Sequence, residues 1–286
     1  MVLASALLHA GWSAAIKGSR DPLAFNLVQT VVAAAVALGM LAVVRLDEIP
    51  RAVWQGAALT GVAHASYMYF LGRAFERGEL TLVYPIVRST PALLPLIAVP
   101  LLGETLSPAG VAGIGVVVGG VWLVQTEGAV RWGAFRNPGT GFALLALGTT
   151  VVYSLVDKRS MAAFSDAAWT SDVPRAVVYF FLLYVATALI FVPLSLRRVP
   201  VRSWPRVWRR DALRATCAVV VSVASYGLIL EAFRTAPASY VVAARQTSVL
   251  FALAIGAVWL RERPSGARGL GAAATVLGVA LIAVAR

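Results

Sequence analysis

Two stretches of this chain decide its fold: LTLVYPIVRSTPALLPLIAVPLLGE, residues 80–104, and ASYVVAARQTSVLFALAIGAVWLRE, residues 238–262. Each is an apolar run of roughly 20 residues, long enough to cross a hydrocarbon core as a helix. Each holds one arginine inside the run, Arg88 or Arg245, and closes on a glutamate, Glu104 or Glu262. They are related by an ungapped shift of 158 residues that extends beyond both. Ala74-Phe75 meets Ala232-Phe233, Thr81 meets Ser239, and Ser107 meets Ser265. Gly113, Gly120 and Val121 meet Gly271, Gly278 and Val279. Apolar bias alone does not bring a charged pair such as Glu104 and Glu262 into register.

The rest of the chain has the same character. Of 286 residues, 59% are apolar and 13% charged, and the mean hydropathy is +0.80. A soluble chain of this length needs more polar surface, and a disordered one has the opposite composition. Apolar runs separated by charge and Pro/Gly clusters predict ten spans. They fall near 2–16, 22–44, 52–71, 80–102, 109–126, 139–156, 174–196, 212–232, 239–260 and 268–285. Backbone inside lipid must satisfy its own hydrogen bonds, so these runs are read as helices. The fold class is therefore an all-α polytopic membrane protein with ten transmembrane helices.

The first span repeats at a second offset, 141, where Trp12, Ser13 and Lys17 meet Tyr153, Ser154 and Lys158. The chain thus divides into a first five-helix repeat, 1–127, and a second, 128–286. Five is odd, so the second repeat enters the membrane from the opposite side. Two inverted five-helix repeats support alternating access, because exchanging their conformations exchanges the open side.

The net charge of +12 is carried by arginine, Lys17 and Lys158 being the only lysines. The densest group, Arg197, Arg198, Arg202, Arg206, Arg209, Arg210 and Arg214, is interleaved with Trp204 and Trp208. It reads as an interfacial loop against membrane lipids, not as a nucleic-acid surface. Cys217 is the sole cysteine; it excludes an internal disulfide and is expected to pack inside its helix. The sequence shows no metal-ligand spacing and no cofactor motif. Gly115 and Gly119, like Gly271, Thr275 and Gly278, have the spacing of small residues that let helices approach, within a monomer first and in a homodimer second.

These features resemble the drug/metabolite transporter superfamily and, within it, the EamA-type ten-helix carriers. The resemblance is carried by Leu7-Leu8-His9-Ala10-Gly11-Trp12-Ser13-Ala14 with Lys17, and by Tyr84-Pro85-Ile86-Val87-Arg88. In the second half it is carried by Ala236-Pro237-Ala238-Ser239, Arg245-Gln246-Thr247-Ser248 and Trp259-Leu260-Arg261-Glu262-Arg263. Relatives often have Asn after the tryptophan, where this chain has Ser13. The resemblance implies a secondary transporter, often an exporter of amino acids or other small metabolites, in a bacterial cytoplasmic (inner) membrane.

Ionisable groups within spans are costly and mark candidate sites. Arg88 shares a helix face with Tyr84 and Thr81, on a run that also holds Pro85, Pro91, Pro95 and Pro100. Arg245 lies in the matching span, and in the ungapped repeat Arg88 faces Gln246. No Asp or Glu is expected equally deep; Asp157, Glu231, Glu104, Glu79 and Glu262 all fall at predicted span ends. An anionic group on the substrate is the expected partner of Arg88 or Arg245, since guanidinium pairs with carboxylate or phosphate. The candidate substrate-binding set is Arg88, Tyr84, Trp12, Tyr67, Tyr153, Tyr226, Arg245 and Gln246. His9 and His64 are the proton-coupling candidates. Glu104 and Glu262 are expected to cap the following helix or to pair locally.

Two isolated histidines and no intramembrane acid argue against a membrane-embedded enzyme. The function expected is secondary active transport of a small metabolite, anionic or amino-acid-like; a channel or scaffold without coupled transport is the alternative.

Overall fold

The computed structural model describes residues 1–17, 21–129, 136–199, 201–259 and 265–285, with side chains at 12–17, 22, 80, 81, 201 and 259 left aside. Among the described residues twelve α-helices follow one another: α1 Val2–Lys17, α2 Pro22–Leu41, α3 Arg51–Arg77, α4 Leu80–Val87, α5 Thr90–Leu102, α6 Pro108–Thr126, α7 Pro138–Ser165, α8 Arg175–Leu196, α9 Trp204–Thr235, α10 Ala238–Arg245, α11 Ser248–Trp259 and α12 Gly266–Val284. No strand occurs among the described residues.

Among the described residues eight segments are long and apolar enough to cross a membrane: α2, α4 with α5, α6, α7, α8, α9, α10 with α11, and α12. The other two of the ten expected spans are α1 and α3. At 16 residues and roughly 1.5 Å per residue, α1 extends about 24 Å, short of a hydrocarbon core. The 27-residue α3 is long enough, but Gln55, His64 and its tyrosines lower its hydropathy. The ten spans correspond to twelve helices because the fourth and ninth are each broken in two.

The repeat is visible in the helix boundaries. α10, α11 and α12 begin at 238, 248 and 266, each 158 residues after α4, α5 and α6 at 80, 90 and 108. Both breaks fall at equivalent positions. At the first, Pro91 cannot donate an N–H and disfavours helical backbone at Thr90. The chain turns at Arg88 and Ser89 and restarts with Pro91 in the first turn of α5. The second break, at Gln246 and Thr247, contains no proline. There Thr247 Oγ1 donates to the Ala244 carbonyl at 2.8 Å and satisfies an acceptor that the helix end leaves open.

Three helices overrun their expected ends. α3 continues to Arg77, α7 to Ser165, and α9 starts at Trp204, inside the segment expected as a loop. Apolar runs stop at charge, but helices do not: Arg, Lys and Glu are good helix formers. Cys217 is exposed on α9 and not packed inside it.

The described chain forms two compact units that cut across the sequence halves. One is built from 3–65 with 156–234, the other from 66–155 with 235–286.

In the first unit α2 packs on α8. Phe25 and Val28 bury against Ala215 and Ala218 of α9. Ser5 Oγ donates to the Ser225 carbonyl at 2.6 Å and Ser225 Oγ donates back to the Ser5 carbonyl at 2.9 Å, joining α1 to α9.

In the second unit α6 packs along α12 through glycine. A Cβ on Gly113 would meet the Gly278 carbonyl oxygen at 2.8 Å, and one on Gly120 would meet the Gly271 oxygen at 2.7 Å. The 158-residue shift turns each contact into the other: Gly113 becomes Gly271, and Gly278 becomes Gly120. Residue number rises along α6 as it falls along α12, so equivalent helices of the two halves run antiparallel. A twofold relation perpendicular to the helix axes is what inverted repeats require. Gly115 and Gly119 do not take part; a Cβ on either meets nothing within 4 Å, so they are not the internal packing pair the spacing suggests. The packing glycines lie on the opposite face, seven residues apart, alongside Val117.

Candidate functional site

In the second unit the polar side chains gather at the helix breaks. Arg88 is the C-cap of α4, where its own N–H donates to the Tyr84 carbonyl at 3.1 Å. The C-terminal end of a helix carries partial negative charge, which favours a cation there by about 0.3–1 kcal/mol. That offsets part of the roughly 2.5–3.5 kcal/mol that an arginine costs near the centre of a span. The Arg88 guanidinium donates to the Tyr84 hydroxyl at 3.3 Å and to Ser248 Oγ, at the start of α11, at 3.4 Å. Its carbon lies 5.3 Å from the centre of the Tyr84 ring, which stacks on Phe75 at 6.2 Å. Among the described residues no carboxylate lies within ion-pair distance of Arg88.

Tyr67 of α3 and Tyr153 of α7 meet edge to face, with ring centres 6.3 Å apart. Both rings lie near Arg88, and Tyr67 also lies near Arg245. Gln246, the C-cap of α10 and the repeat-equivalent of Arg88, is buried, and its Oε1 has no hydrogen-bond partner. A buried acceptor left unmade costs about 1–3 kcal/mol, so this is a place for a donor. Ser89 ties the first break to α6: its hydroxyl donates to the Pro85 carbonyl at 2.8 Å and accepts from Trp122 Nε1 at 2.7 Å. Six of the eight expected substrate residues, Arg88, Tyr84, Tyr67, Tyr153, Arg245 and Gln246, thus belong to one unit. The side chains of Trp12, Ser13, Lys17 and Thr81 lie outside the described residues, as does Glu262.

Tyr226 belongs to the first unit and has a different role there. It donates to Asp157 Oδ2. Asp157 is buried completely and also accepts from Thr60 Oγ1 at 2.7 Å and from the Tyr179 hydroxyl at 2.9 Å. This overturns the expectation that no acid lies deep: α7 continues for eight residues past Asp157, to Ser165. Lys158, next in sequence, donates to the Phe233 carbonyl near the end of α9. His64 lies edge-on to Tyr184, 5.8 Å away, and His9 is half-buried on α1. The sequence missed Asp157 because the apolar run ends at Val156. The signal available was Arg159–Ser165, a stretch with neither Pro nor Gly to stop a helix.

Glu104 was expected to cap the helix that follows it or to pair locally. It caps α10 in the other half: its carboxylate accepts the backbone N–H of Ala238, the N–H of Ser239 at 3.3 Å and the Ser239 hydroxyl at 2.6 Å. The following helix, α6, is capped by Ser107 Oγ, which accepts from the Gly110 N–H at 3.2 Å. The Ser107 N–H donates to the Tyr240 hydroxyl at 2.9 Å, so the α5–α6 connection grips the N-terminus of α10 at two points.

A helix-only membrane protein built on a repeat, with polar groups gathered at broken helices, has the architecture of a secondary transporter. The EamA-like transporter family model matches residues 1–126 and again 140–284, and the chain belongs to that family. It is therefore a membrane transporter of the drug/metabolite superfamily. A solved chain described only as the crystal structure of a protein superposes with a TM-score of 0.73 at 19% identity. It covers 98% of this chain and 95% of its own, which shows a shared fold. No protein of curated function matches the sequence.

Proposed function

We propose that this chain is a secondary carrier, an exporter in a bacterial cytoplasmic membrane, for a small metabolite that bears a carboxylate or phosphate. Arg88 is the residue that binds the anion. The observation that carries this is its guanidinium, inside a span and hydrogen-bonded to the hydroxyls of Tyr84 and Ser248, with no carboxylate partner among the described residues. Hydroxyls leave the positive charge uncompensated, and an anionic ligand compensates it with two parallel hydrogen bonds. Tyr67 and Tyr153 supply apolar ring surface beside that charge. The orphaned amide of Gln246 supplies an acceptor for an ammonium or hydroxyl on the same solute, which favours an amino-acid-like substrate. Alternating access between the two repeats then moves the bound solute across the membrane.

A thermal-shift screen of the purified protein tests this, with anionic, zwitterionic, cationic and neutral metabolites. A ligand at about 100 times its dissociation constant stabilises by roughly 2.7 kcal/mol. Carboxylates or phosphates should stabilise the wild type and lose that effect in Arg88→Ala. Stabilisation by neutral or cationic compounds that survives in Arg88→Ala would overturn the assignment. Counterflow of labelled ligand in vesicles separates a carrier from a channel.

A further inference from the structure

Asp157 is used by none of the foregoing. It is fully buried in the interior of α7, and its three hydroxyl donors come from three other helices: Thr60 from α3, Tyr179 from α8 and Tyr226 from α9. A purely structural tie among these helices needs no acid; an asparagine would accept two of the bonds at Oδ1 and donate an Nδ2–H to the Tyr226 hydroxyl, without the cost of a buried charge. The chemistry of the donors is informative. Hydroxyls donate to a carboxylate and accept from a carboxylic acid, so the cage satisfies both protonation states. Thr60 Oγ1 and the Tyr179 hydroxyl, 3.2 Å apart, share Oδ1, which stays an acceptor when Oδ2 carries the proton, so only the Tyr226 bond has to reverse. Thr60 and Tyr179 are closed off, with 1% and 0% exposure, whereas Tyr226 is half-buried. Tyr226 is thus the one donor with access outward.

We infer that Asp157 is an exchangeable proton-binding site, reached through the Tyr226 hydroxyl, whose loading and unloading accompany transport. On loading, a hydronium ion gives a proton to the Tyr226 oxygen and leaves as water, while the Tyr226 hydroxyl proton moves to Asp157 Oδ2. On unloading both transfers reverse, and Tyr226 is unchanged throughout. Several ionisable groups lie on the helices that form the cage. On α7 there is Lys158, whose ammonium holds the Phe233 carbonyl. On α3 there is His64, one turn from Thr60, and on α8 Tyr184, beside that imidazole. Beyond Tyr226 on α9 lies the Glu231–Arg234 ion pair. On α1 there are His9 and Lys17, the latter's side chain lying outside the described residues. The use of the proton in transport rests on the carrier reading; its presence on Asp157 does not.

Infrared difference spectroscopy of the full chain in phosphatidylcholine vesicles reads the proton directly. As pH falls from about 8 to 5, a protonated-carboxyl band should grow, move on labelling aspartate with carbon-13, and vanish in Asp157→Asn. It should persist in Asp211→Asn, which removes the other buried aspartate. In Tyr226→Phe the band should remain while its response to a pH jump slows about a hundredfold. If Asp157→Asn does not fold, the isotope shift in the wild type and a displaced band in Asp157→Glu decide. A band that is absent, or untouched by the label, overturns the proton site. For coupling, a ligand from the thermal-shift panel is followed in vesicles. A pH gradient should drive its accumulation in the wild type, and Asp157→Asn should keep counterflow but lose the gradient response. A titrating band without gradient-driven accumulation overturns the coupling and leaves the proton site standing. A panel without any ligand overturns the carrier reading, and the infrared result still stands or falls alone.

Discussion

Replacing Gly120 by alanine places a Cβ 2.6 Å from Thr275 Oγ1, 2.7 Å from the Gly271 oxygen and 2.8 Å from the Thr275 nitrogen. Two of these atoms are backbone, so a rotamer change does not relieve the contact. α6 and α12 must move apart by about 0.5–1 Å, which forfeits a quarter to a half of the dispersion energy of every atom pair on that seam. Helices in lipid have no hydrophobic drive to hold them together, so packing of this kind is their main attraction. Overpacking of this order costs about 1–3 kcal/mol. Alanine returns about 0.5–1 kcal/mol through its helix propensity. Gly120→Ala is therefore expected to destabilise by about 1–2 kcal/mol, read as a lowered midpoint in detergent-induced unfolding of the reconstituted protein. Gly115→Ala and Gly119→Ala, where a Cβ meets open space, should leave the midpoint unchanged or raise it. Gly278→Ala should match Gly120→Ala because the repeat exchanges the two sites. The double variant should cost less than the two singles together, since separated helices accommodate the second methyl. Gly115→Ala destabilising as much as Gly120→Ala would refute both the packing face and the antiparallel pairing read from it.

Three further outcomes follow from particular contacts. Arg88→Lys keeps the charge but loses the planar fork, so anionic ligands should bind at least about tenfold more weakly in a titration; unchanged affinity would mean that charge alone recognises the anion. Glu104→Gln loses the charge that caps α10, and amide hydrogen exchange at Ala238 and Ser239 should quicken while exchange in α6, capped by Ser107, stays as it was. Outside the membrane, Glu48 accepts from the Thr170 hydroxyl at 2.6 Å and N–H at 2.8 Å, and these bonds hold its carboxyl below the usual 4.5. A lowered folded value means the tie is complete above the unfolded value and is lost as pH falls through the folded one. Protection of the Thr170 amide should therefore fall only in acid, and in Glu48→Gln it should not vary with pH.

Much of the fold could be read in the sequence because bilayer thickness imposes a length on every crossing helix. Residues 108–126 and 266–284 were bounded to within two residues at each end by apolarity alone, with Ser107 and Ser265 capping their starts. What could not be read has two physical causes. The first is that composition marks where lipid ends and not where a helix ends. Asp157 was therefore assigned to a span terminus, although Lys158 and Arg159 continue the same α7 turn after turn. The second is that a helix break without proline has no local signature. Pro91 is one of four prolines in a run read as a single span, and nothing in composition singles it out as the break; Gln246-Thr247 is an ordinary helical dipeptide with no such signal at all. The same limit applies to faces. Gly115 and Gly119 have the spacing of a packing pair, as Gly113 and Gly120 do not, and only the position of α12 decides which glycines are used.

The two helix breaks explain how a symmetric scaffold obtains a candidate site that is not symmetric. The repeat places Arg88 and Gln246 at the same point, each the C-cap of an eight-residue half-helix. Both half-helices end with partial negative charge, so each can hold a cation, and Arg245 sits one residue before the second cap. Had both caps been arginine, the unit would concentrate positive charge that only a doubly anionic solute could balance. Substituting an amide at one cap keeps the geometry and changes the chemistry: a strong donor at one break, an orphaned buried acceptor at the other. Gln246→Arg tests this directly. It should shift ligand preference from monoanions and zwitterions toward dianions in the thermal-shift panel, with stability of the empty protein reduced by the second charge. An unchanged preference would place Gln246 outside the ligand's reach and leave Arg88 to account for recognition alone.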